Sequence, residues 1–206
     1  MIDEWRIGSH ECEYINKQQG LHCVKCNSNL RSMALALAIM QIYGYKGIFT
    51  NFVTQKEINK LNILEINEAG SLTPFLSKLS GHTIKKYPEI DMMNIKFPDM
   101  YFDLIIHSDV LEHIKHPIRG LSECFRVLKK GGYCAFTIPM IVDRLTINRE
   151  GLPPSYHGSQ DNKADFLVHT EYGCDAWKQV IQAGFQECRL FSIEYPCAQA
   201  LVGVKD

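Results

Sequence analysis

Short apolar segments alternate with helical segments along most of the chain, and this alternation is the strongest constraint on its fold. The segment 102–107 is apolar on both faces, as an interior strand of a parallel sheet is. The other predicted strands are 62–66, 83–87, 133–138, 188–195 and 198–204. Strands that alternate with helices predict a mostly parallel sheet with helices on both faces.

Helix boundaries are marked by capping and terminating residues. The helix predicted over 28–43 is rich in Ala and Leu, can be capped by Ser28 or Asn29, and is stopped by Gly44. Asp109 and Glu112 have the spacing of a capping box, which predicts a helix start directly after the third strand. The remaining predicted helices are 72–79, one that follows Pro117 and ends at Gly131–Gly132, and 175–183.

Length and charge limit the organisation and the partners. The 206 residues are enough for one domain, predicted over 46–206, preceded by an N-terminal extension, 1–45, whose helix packs on the core. The net charge of -1 and the lack of long Lys or Arg runs argue against nucleic-acid binding. The apolar stretch 33–42 is too short to span a bilayer, and the polar first twenty residues show no export signal. We therefore expect a cytoplasmic protein that does not bind membranes.

The segment 60–140 resembles a class I S-adenosylmethionine-dependent methyltransferase. The resemblance is carried by Ile63-Leu-Glu-Ile with Gly70, by Ile90-Asp-Met, and most specifically by residues 97–132. That segment contains Phe-Asp-Leu-Ile-Ile-His-Ser-Asp-Val-Leu-Glu-His-Ile and Arg-Val-Leu-Lys-Lys-Gly-Gly, which Tyr133 follows. It implies a Rossmann-like three-layer sandwich whose sheet has seven strands or slightly fewer, with the last strand antiparallel. It also implies S-adenosylmethionine as the cofactor and a small molecule as the acceptor.

Ligands of open α/β sheets bind beyond the carboxyl ends of the strands, so the resemblance places the cofactor there. Asp91 would take the adenine amino group beside the Met92 backbone amide, and Tyr87 would pack on the adenine. Ser108 and Asp109 would line the methionine and methyl end. The other cofactor residues that the resemblance implies are Glu65, Asn67, Glu68 and Gly70.

The cofactor loop departs from the family pattern. Asn67, Glu68 and Ala69 stand where glycine, a small residue and glycine are usual, and Gly70 is the remaining glycine. Asn tolerates a positive φ better than most residues, and Ala is nearly as small as Gly, so the turn can still form.

Catalytic candidates lie after the third strand and between the fifth strand and the last helix. Methyl transfer from a sulfonium needs the nucleophile to be positioned and water to be excluded, and a general base helps if the acceptor is a hydroxyl or an amine. We predict His113, Tyr156 and His157 in this role, with His169 and Glu171 as further candidates; His107, on an interior strand, is predicted to be structural.

Cysteine spacing near the N-terminus allows two interpretations. His10, Cys12, Cys23 and Cys26 offer four ligands for tetrahedral zinc, with His22 as an alternative fourth. The other interpretation is a set of reduced, partly buried thiols.

Other functions remain to be weighed against methyl transfer to a small molecule. A catalytically degenerate relative that serves as a binding or regulatory module is compatible with the altered loop. A nicotinamide dehydrogenase needs Gly-x-Gly-x-x-Gly, which residues 67–72 lack. A base-methylating enzyme typically has a Pro-Pro-aromatic signature after the third strand, where this chain reads His107-Ser-Asp-Val.

Overall fold

A computed structural model describes residues 5–157 and 166–206 and contains one central six-stranded sheet. The strand order is β2-β1-β3-β4-β9-β8. The strands are β1 Ile63–Ile66, β2 His82–Lys85, β3 Phe102–Ser108, β4 Leu128–Thr137, β8 Glu187–Ile193 and β9 Ala198–Lys205. The first four run parallel, and β9 runs antiparallel to both of its neighbours. The predicted α/β class and the antiparallel last strand are confirmed.

A second, small sheet is formed by residues that follow β4 and precede the last helix in the chain. It consists of β5 Met140–Ile141, β6 Ile147–Asn148 and β7 Thr170–Gly173, in the order β5-β7-β6. The sequence prediction had no strand in this region, because strands of two to four residues are too short to show a clear period.

Six α-helices cover the faces of the sheet within the described residues. They are α1 Ser9–Gly20, α2 Leu30–Ile42, α3 Phe49–Phe52, α4 Thr73–Leu76, α5 Pro117–Val127 and α6 Trp177–Gln182. Asn29 caps α2, as predicted, through a 2.8 Å hydrogen bond that Ser32 N donates to its side chain. None of these helices is long and apolar enough to cross a membrane.

Alternate residues of the central strands face the two helical layers. Leu104 and Ile106 of β3 pack in one core with α2, whereas Ile105 packs in the other with α5 and α6. Both cores consist of fully buried aliphatic and aromatic side chains, which is the main free-energy gain of folding. The three-layer sandwich is therefore the predicted one, with α2 as part of its core.

Two predicted helix boundaries after β3 are wrong. A short 3₁₀ helix, Leu111–His113, stands where the capping box predicted an α-helix, and Asp109 adopts a φ of +51°. The helix after Pro117 ends at Val127, and residues 128–132, predicted as its last turn, open β4. There Lys129 forms a 2.8 Å ion pair with Asp103 of β3, an inter-strand contact that helix-end statistics do not foresee.

Candidate functional site

The carboxyl ends of β1 and β3 lie side by side. Ile66 pairs with His107 in parallel register, so Asn67 and Ser108 leave adjacent strands at the same edge of the sheet. Strand β4 ends beside them, since Thr137 Oγ1 lies 2.7 Å from Ser108 Oγ and its carbonyl accepts a hydrogen bond from Asp109 N. The polar groups predicted to bind a ligand are thus gathered at this edge, where parallel sheets form their binding crevices.

Glu65, the last acidic residue of β1, organises the loop that follows it. Its side chain is fully buried, and its Oε1 accepts hydrogen bonds from Ala69 N at 2.7 Å and from the Thr73 hydroxyl at 2.5 Å. Its other oxygen, Oε2, lies 2.6 Å from His82 Nε2 on β2. A buried carboxylate must be satisfied by such partners, so both oxygens of Glu65 are used within the protein and hold the loop that follows β1.

The loop itself uses left-handed backbone at two positions. Asn67 has a φ of +59° and accepts a hydrogen bond from Tyr87 N on its side-chain oxygen. Gly70 has a φ of +58°, and a Cβ added there would lie 2.8 Å from Ser32 Oγ of α2. Glu68 points outward and pairs with Lys86 at 2.6 Å. The departures from the family pattern are therefore accommodated, and Glu68 does not fill the crevice.

The segment after β2 offers fewer ligand groups than its sequence suggested. Residues 86–101 contain no helix or strand, and Tyr87 is 62% exposed beside the loop. The Asp91 carboxylate accepts a hydrogen bond from Met93 N at 2.8 Å, which leaves its other oxygen available. The Met92 side chain is buried, so Met92 could contact a ligand only through its backbone, as predicted.

Arg31, which the sequence analysis did not single out, reaches the same edge of the sheet. It lies in the first turn of α2 and forms an ion pair with Asp109, with only 15% and 16% of the two side chains exposed. Burial lowers the pKa of Arg31, and the charge of Glu112 opposes that shift. The one sequence signal was a lone Arg within an otherwise apolar helix.

Glu112 is buried at the centre of a group of histidines. Its Oε1 lies 3.1 Å from His157 Nδ1 and 3.6 Å from His113 Nε2, and the two imidazole rings stack with centroids 6.0 Å apart. Burial raises the pKa of Glu112, but the hydrogen bond from His157 and the charges of both histidines outweigh it and leave the pKa below its usual value. We call Glu112, His113 and His157 the Glu112 cluster.

The other catalytic candidates lie elsewhere. Tyr156 is 45% exposed and its backbone bridges to Leu167, outside the Glu112 cluster. Glu171 forms a buried ion pair with Arg149, and His169 lines a cavity of about 220 Å³ together with Arg149. Of the three residues predicted to be catalytic, the fold brings together His113 and His157.

His107 belongs to the core, in keeping with the structural role predicted for it. It is fully buried and its ring stacks on Phe136 with centroids 4.7 Å apart. Burial lowers its pKa to about 3, so the imidazole is neutral in the folded protein.

Comparison with known proteins identifies the segment that contains β1 to β4. Residues 62–136 match the model of a family described as "Methyltransferase domain". This segment is therefore similar to S-adenosylmethionine-dependent methyltransferase domains. A Mycolicibacterium smegmatis protein named "Probable S-adenosylmethionine-dependent methyltransferase" is 32% identical over 64 residues, which are 29% of this chain. The match spans about a quarter of that relative's length, 25%.

Solved structures with a similar arrangement include two methyltransferases. One from Aquifex aeolicus is 14% identical, with a TM-score of 0.48, over 84% of this chain and 89% of that one. One from Thermotoga maritima is also 14% identical, with a TM-score of 0.44, over 85% and 91% of the two chains.

The matched segment contains most of the strand-end residues described above but not all of them. Glu65, Gly70, Asp109 and Glu112 lie inside the matched segment, whereas Arg31 and His157 come from outside it. Helix α2 and the loop after β6 thus contribute side chains to the same edge of the sheet.

The four N-terminal residues predicted to bind zinc are not assembled into a site. Within 5–157 and 166–206, no three of their ligand atoms come within 4.8 Å of one another. His10 packs edge-on against Tyr14, and Cys12 Sγ is directed at the carbonyl of Ile7. Both lie on α1, which separates them from the turn that carries Cys23 and Cys26. The zinc prediction for His10, Cys12, Cys23 and Cys26 is not supported.

A cavity of about 460 Å³ lies beside α1. It is lined by Tyr14 and Lys17 of that helix and by residues 194–197. Neither this cavity nor the smaller one at His169 is lined by Glu65, Asp91 or Asp109. The residues predicted to bind the cofactor therefore line neither of these two cavities.

Proposed function

We propose that the protein transfers the methyl group of S-adenosylmethionine to a small-molecule acceptor. The observation that carries this proposal is the pair of adjacent strand ends, β1 and β3, each followed by left-handed backbone at Asn67 and Asp109. Ligands of open α/β sheets bind beyond such strand ends, which supports a cofactor site at this edge. The match of residues 62–136 to the methyltransferase domain supports the same conclusion.

The Arg31–Asp109 ion pair is suited to the methionine part of the cofactor. That part carries a carboxylate and an ammonium group. Such a zwitterion can replace the contact between Arg31 and Asp109, because its carboxylate meets the guanidinium and its ammonium group meets the Asp109 carboxylate. We infer that Arg31 takes the carboxylate and Asp109 the ammonium group, with Ser108 beside them. Asp91 and Tyr87 are proposed to hold the adenine end.

The Glu112 cluster is proposed to lie on the acceptor side. The charge of Glu112 acts on the pKa of Arg31, which supports a position of the cluster near the end proposed for the methionine part. Transfer is an in-line displacement in which the acceptor atom bonds the methyl carbon while the C–S electron pair returns to sulfur. The crevice must hold the acceptor in line and exclude water, and His113 and His157 are the groups that would take up its proton.

Calorimetry with S-adenosylmethionine and with its demethylated product tests the proposal. We expect saturable binding of both ligands, and production of the demethylated product when a panel of small hydroxyl and amine compounds is added. The absence of binding at millimolar ligand would instead support a non-catalytic binding or regulatory module. The observation that favours this second function is that Arg31 and Asp109 already satisfy each other's charges at the strand end proposed for the methionine part of the cofactor.

A further inference from the structure

The Glu112 cluster brings hydrogen-bond acceptor atoms of neighbouring side chains face to face. His113 Nδ1 lies 3.0 Å from the carbonyl of Leu167, to which it must donate, so in the neutral ring Nε2 is an acceptor. That acceptor faces Glu112 Oε1 at 3.6 Å. Two acceptors that face each other in a buried place call for a cation between them.

The chemistry of the three side chains narrows the choice of cation. We propose that Glu112, His113 and His157 bind one divalent transition-metal ion, with zinc as the best match. Two imidazoles and one carboxylate form a ligand set used by metal centres that keep a coordination position open. The proposal goes beyond methyl transfer, because ion binding here needs neither the cofactor nor the acceptor. It replaces the proton-accepting role given to His113 and His157 above, since an imidazole nitrogen that binds the ion cannot also take up a proton.

The distances suit such an ion. One ligand atom from each of the three residues lies within 4.8 Å of the other two. Bonds of about 2.0–2.2 Å to a tetrahedral ion place ligand atoms roughly 3.5 Å apart, so the side chains need to move by little. Glu112 Oε2 is fully buried and makes no hydrogen bond among the described residues, so a ligand atom is available without cost.

The surroundings of the cluster resemble the support that metal ligands usually have. The carbonyl of Leu167 fixes the ring orientation of His113, as the outer partners of ligating histidines do. The Glu112 backbone carbonyl accepts a 2.8 Å hydrogen bond from His169 N, which fixes the backbone at Glu112. The positive charge nearby, Arg31, is offset by Asp109.

Cobalt titration of the EDTA-treated full-length chain tests the proposal. Because Cys23 and Cys26 are themselves metal-binding groups, the titration uses a Cys23→Ser/Cys26→Ser background. We expect one Co²⁺ per chain with the absorption of a nitrogen- and oxygen-ligated ion, displaced by Zn²⁺. His113→Ala and His157→Ala should each weaken binding by more than about tenfold. The matched control, His116→Ala, changes an exposed histidine close to the cluster and should leave the affinity unchanged.

Two results would overturn the proposal. One is no Co²⁺ binding below millimolar concentration, in which case a proton, held as an imidazolium, bridges Glu112 and His113. The other is equal binding by the His113→Ala and parent proteins. X-ray absorption of the Co²⁺-loaded parent protein gives a second readout if a variant fails to fold: imidazole scattering supports the site, and its absence refutes it. Binding of the demethylated product is measured on the same samples, so loss of the metal site and loss of the cofactor site are separate outcomes.

Discussion

The guanidinium of Arg31 and the carboxylate of Asp109 form an ion pair that joins the first turn of α2 to the end of β3. The pair connects an N-terminal helix, outside the matched methyltransferase segment, with the strand end at which that segment is proposed to bind its cofactor. Cofactor binding and the placement of α2 should therefore depend on each other.

Arg31→Ala is expected to weaken binding of the demethylated cofactor by about 10- to 100-fold, because a charge-assisted contact is worth roughly 1.5–3 kcal/mol. Calorimetry measures the change. Arg31→Lys should recover part of the affinity, since it keeps the charge and loses the planar fork. Arg189→Ala on β8, whose side chain pairs with Glu187, is the control and should bind as the parent does. Equal affinities for Arg31→Ala and the parent would remove Arg31 from the proposed site.

Gly70→Ala should destabilise the protein for two reasons. A left-handed alanine costs about 1–2 kcal/mol, and its Cβ would lie 2.8 Å from Ser32 Oγ. Gly44→Ala is the matched control, because Gly44 has a similar φ of +66° and nothing within 4 Å of an added Cβ. Urea unfolding should show a larger loss of unfolding free energy for Gly70→Ala than for Gly44→Ala. Equal losses would mean that the Ser32 contact relaxes.

Glu65→Gln should lower stability by about 1–3 kcal/mol and weaken cofactor binding. The buried carboxylate accepts from Ala69 N and Thr73 Oγ1 on one oxygen and faces His82 Nε2 with the other. A glutamine amide must turn a donor toward one of these groups. Glu68→Gln is the control, because Glu68 is exposed and the substitution removes only a surface ion pair with Lys86. It should change the unfolding free energy by less than about 1 kcal/mol. Thermal or urea unfolding of both variants measures the two changes in unfolding free energy, and equal changes would contradict the role given to Glu65.

His107 should make stability depend on pH in the acid range. Its folded-state pKa is lowered to about 3 from 6.5, so the unfolded chain takes up a proton that the folded chain refuses. The unfolding free energy attributable to this group is therefore intact above about pH 6.5 and is lost as the pH falls from there toward 3, by at most about 1.4 kcal/mol per pH unit. His107→Phe, which keeps a ring against Phe136, should flatten this part of the profile.

The exposed His116→Phe serves as the comparison for that experiment and should retain the parent's pH profile. If the His107→Phe protein lost stability with acid as steeply as the parent, other groups would be responsible for the acid sensitivity.

The fold was largely predictable because its information is local. The apolar run 102–107 and the spacing of the strands and helices predicted the α/β sandwich, and Asn29 predicted the start of α2. Errors arose where two local patterns competed. Asp109 and Glu112 fit a capping box, but a left-handed Asp109 and a buried Glu112 satisfy their polar groups through Arg31 and His157 instead.

The family resemblance predicts a set of cofactor residues, and their binding of a cofactor stays a prediction. Hydrogen bonds within the protein use both carboxylate oxygens of Glu65 and one of the two carboxylate oxygens of Asp91. Of the proposed catalytic residues, His113 and His157 meet at Glu112, and Tyr156 does not, because its side chain is exposed on the far side of a bridge to Leu167. The zinc prediction failed because spacing along the chain carries no information on how α1 separates His10 and Cys12 from Cys23 and Cys26.

By itself the sequence determined the order of strands and helices, the parallel edge at which polar residues collect, and the departures of the loop at Asn67–Gly70. These follow from hydrophobic period, turn chemistry and chain direction, which act over a few residues. Only the tertiary structure decided that Arg31 meets Asp109 and that His157 meets Glu112. Such pairs form because packing α2 and the loop after β6 onto one sheet edge buries charges that must then find partners, and no local pattern records which partners those are.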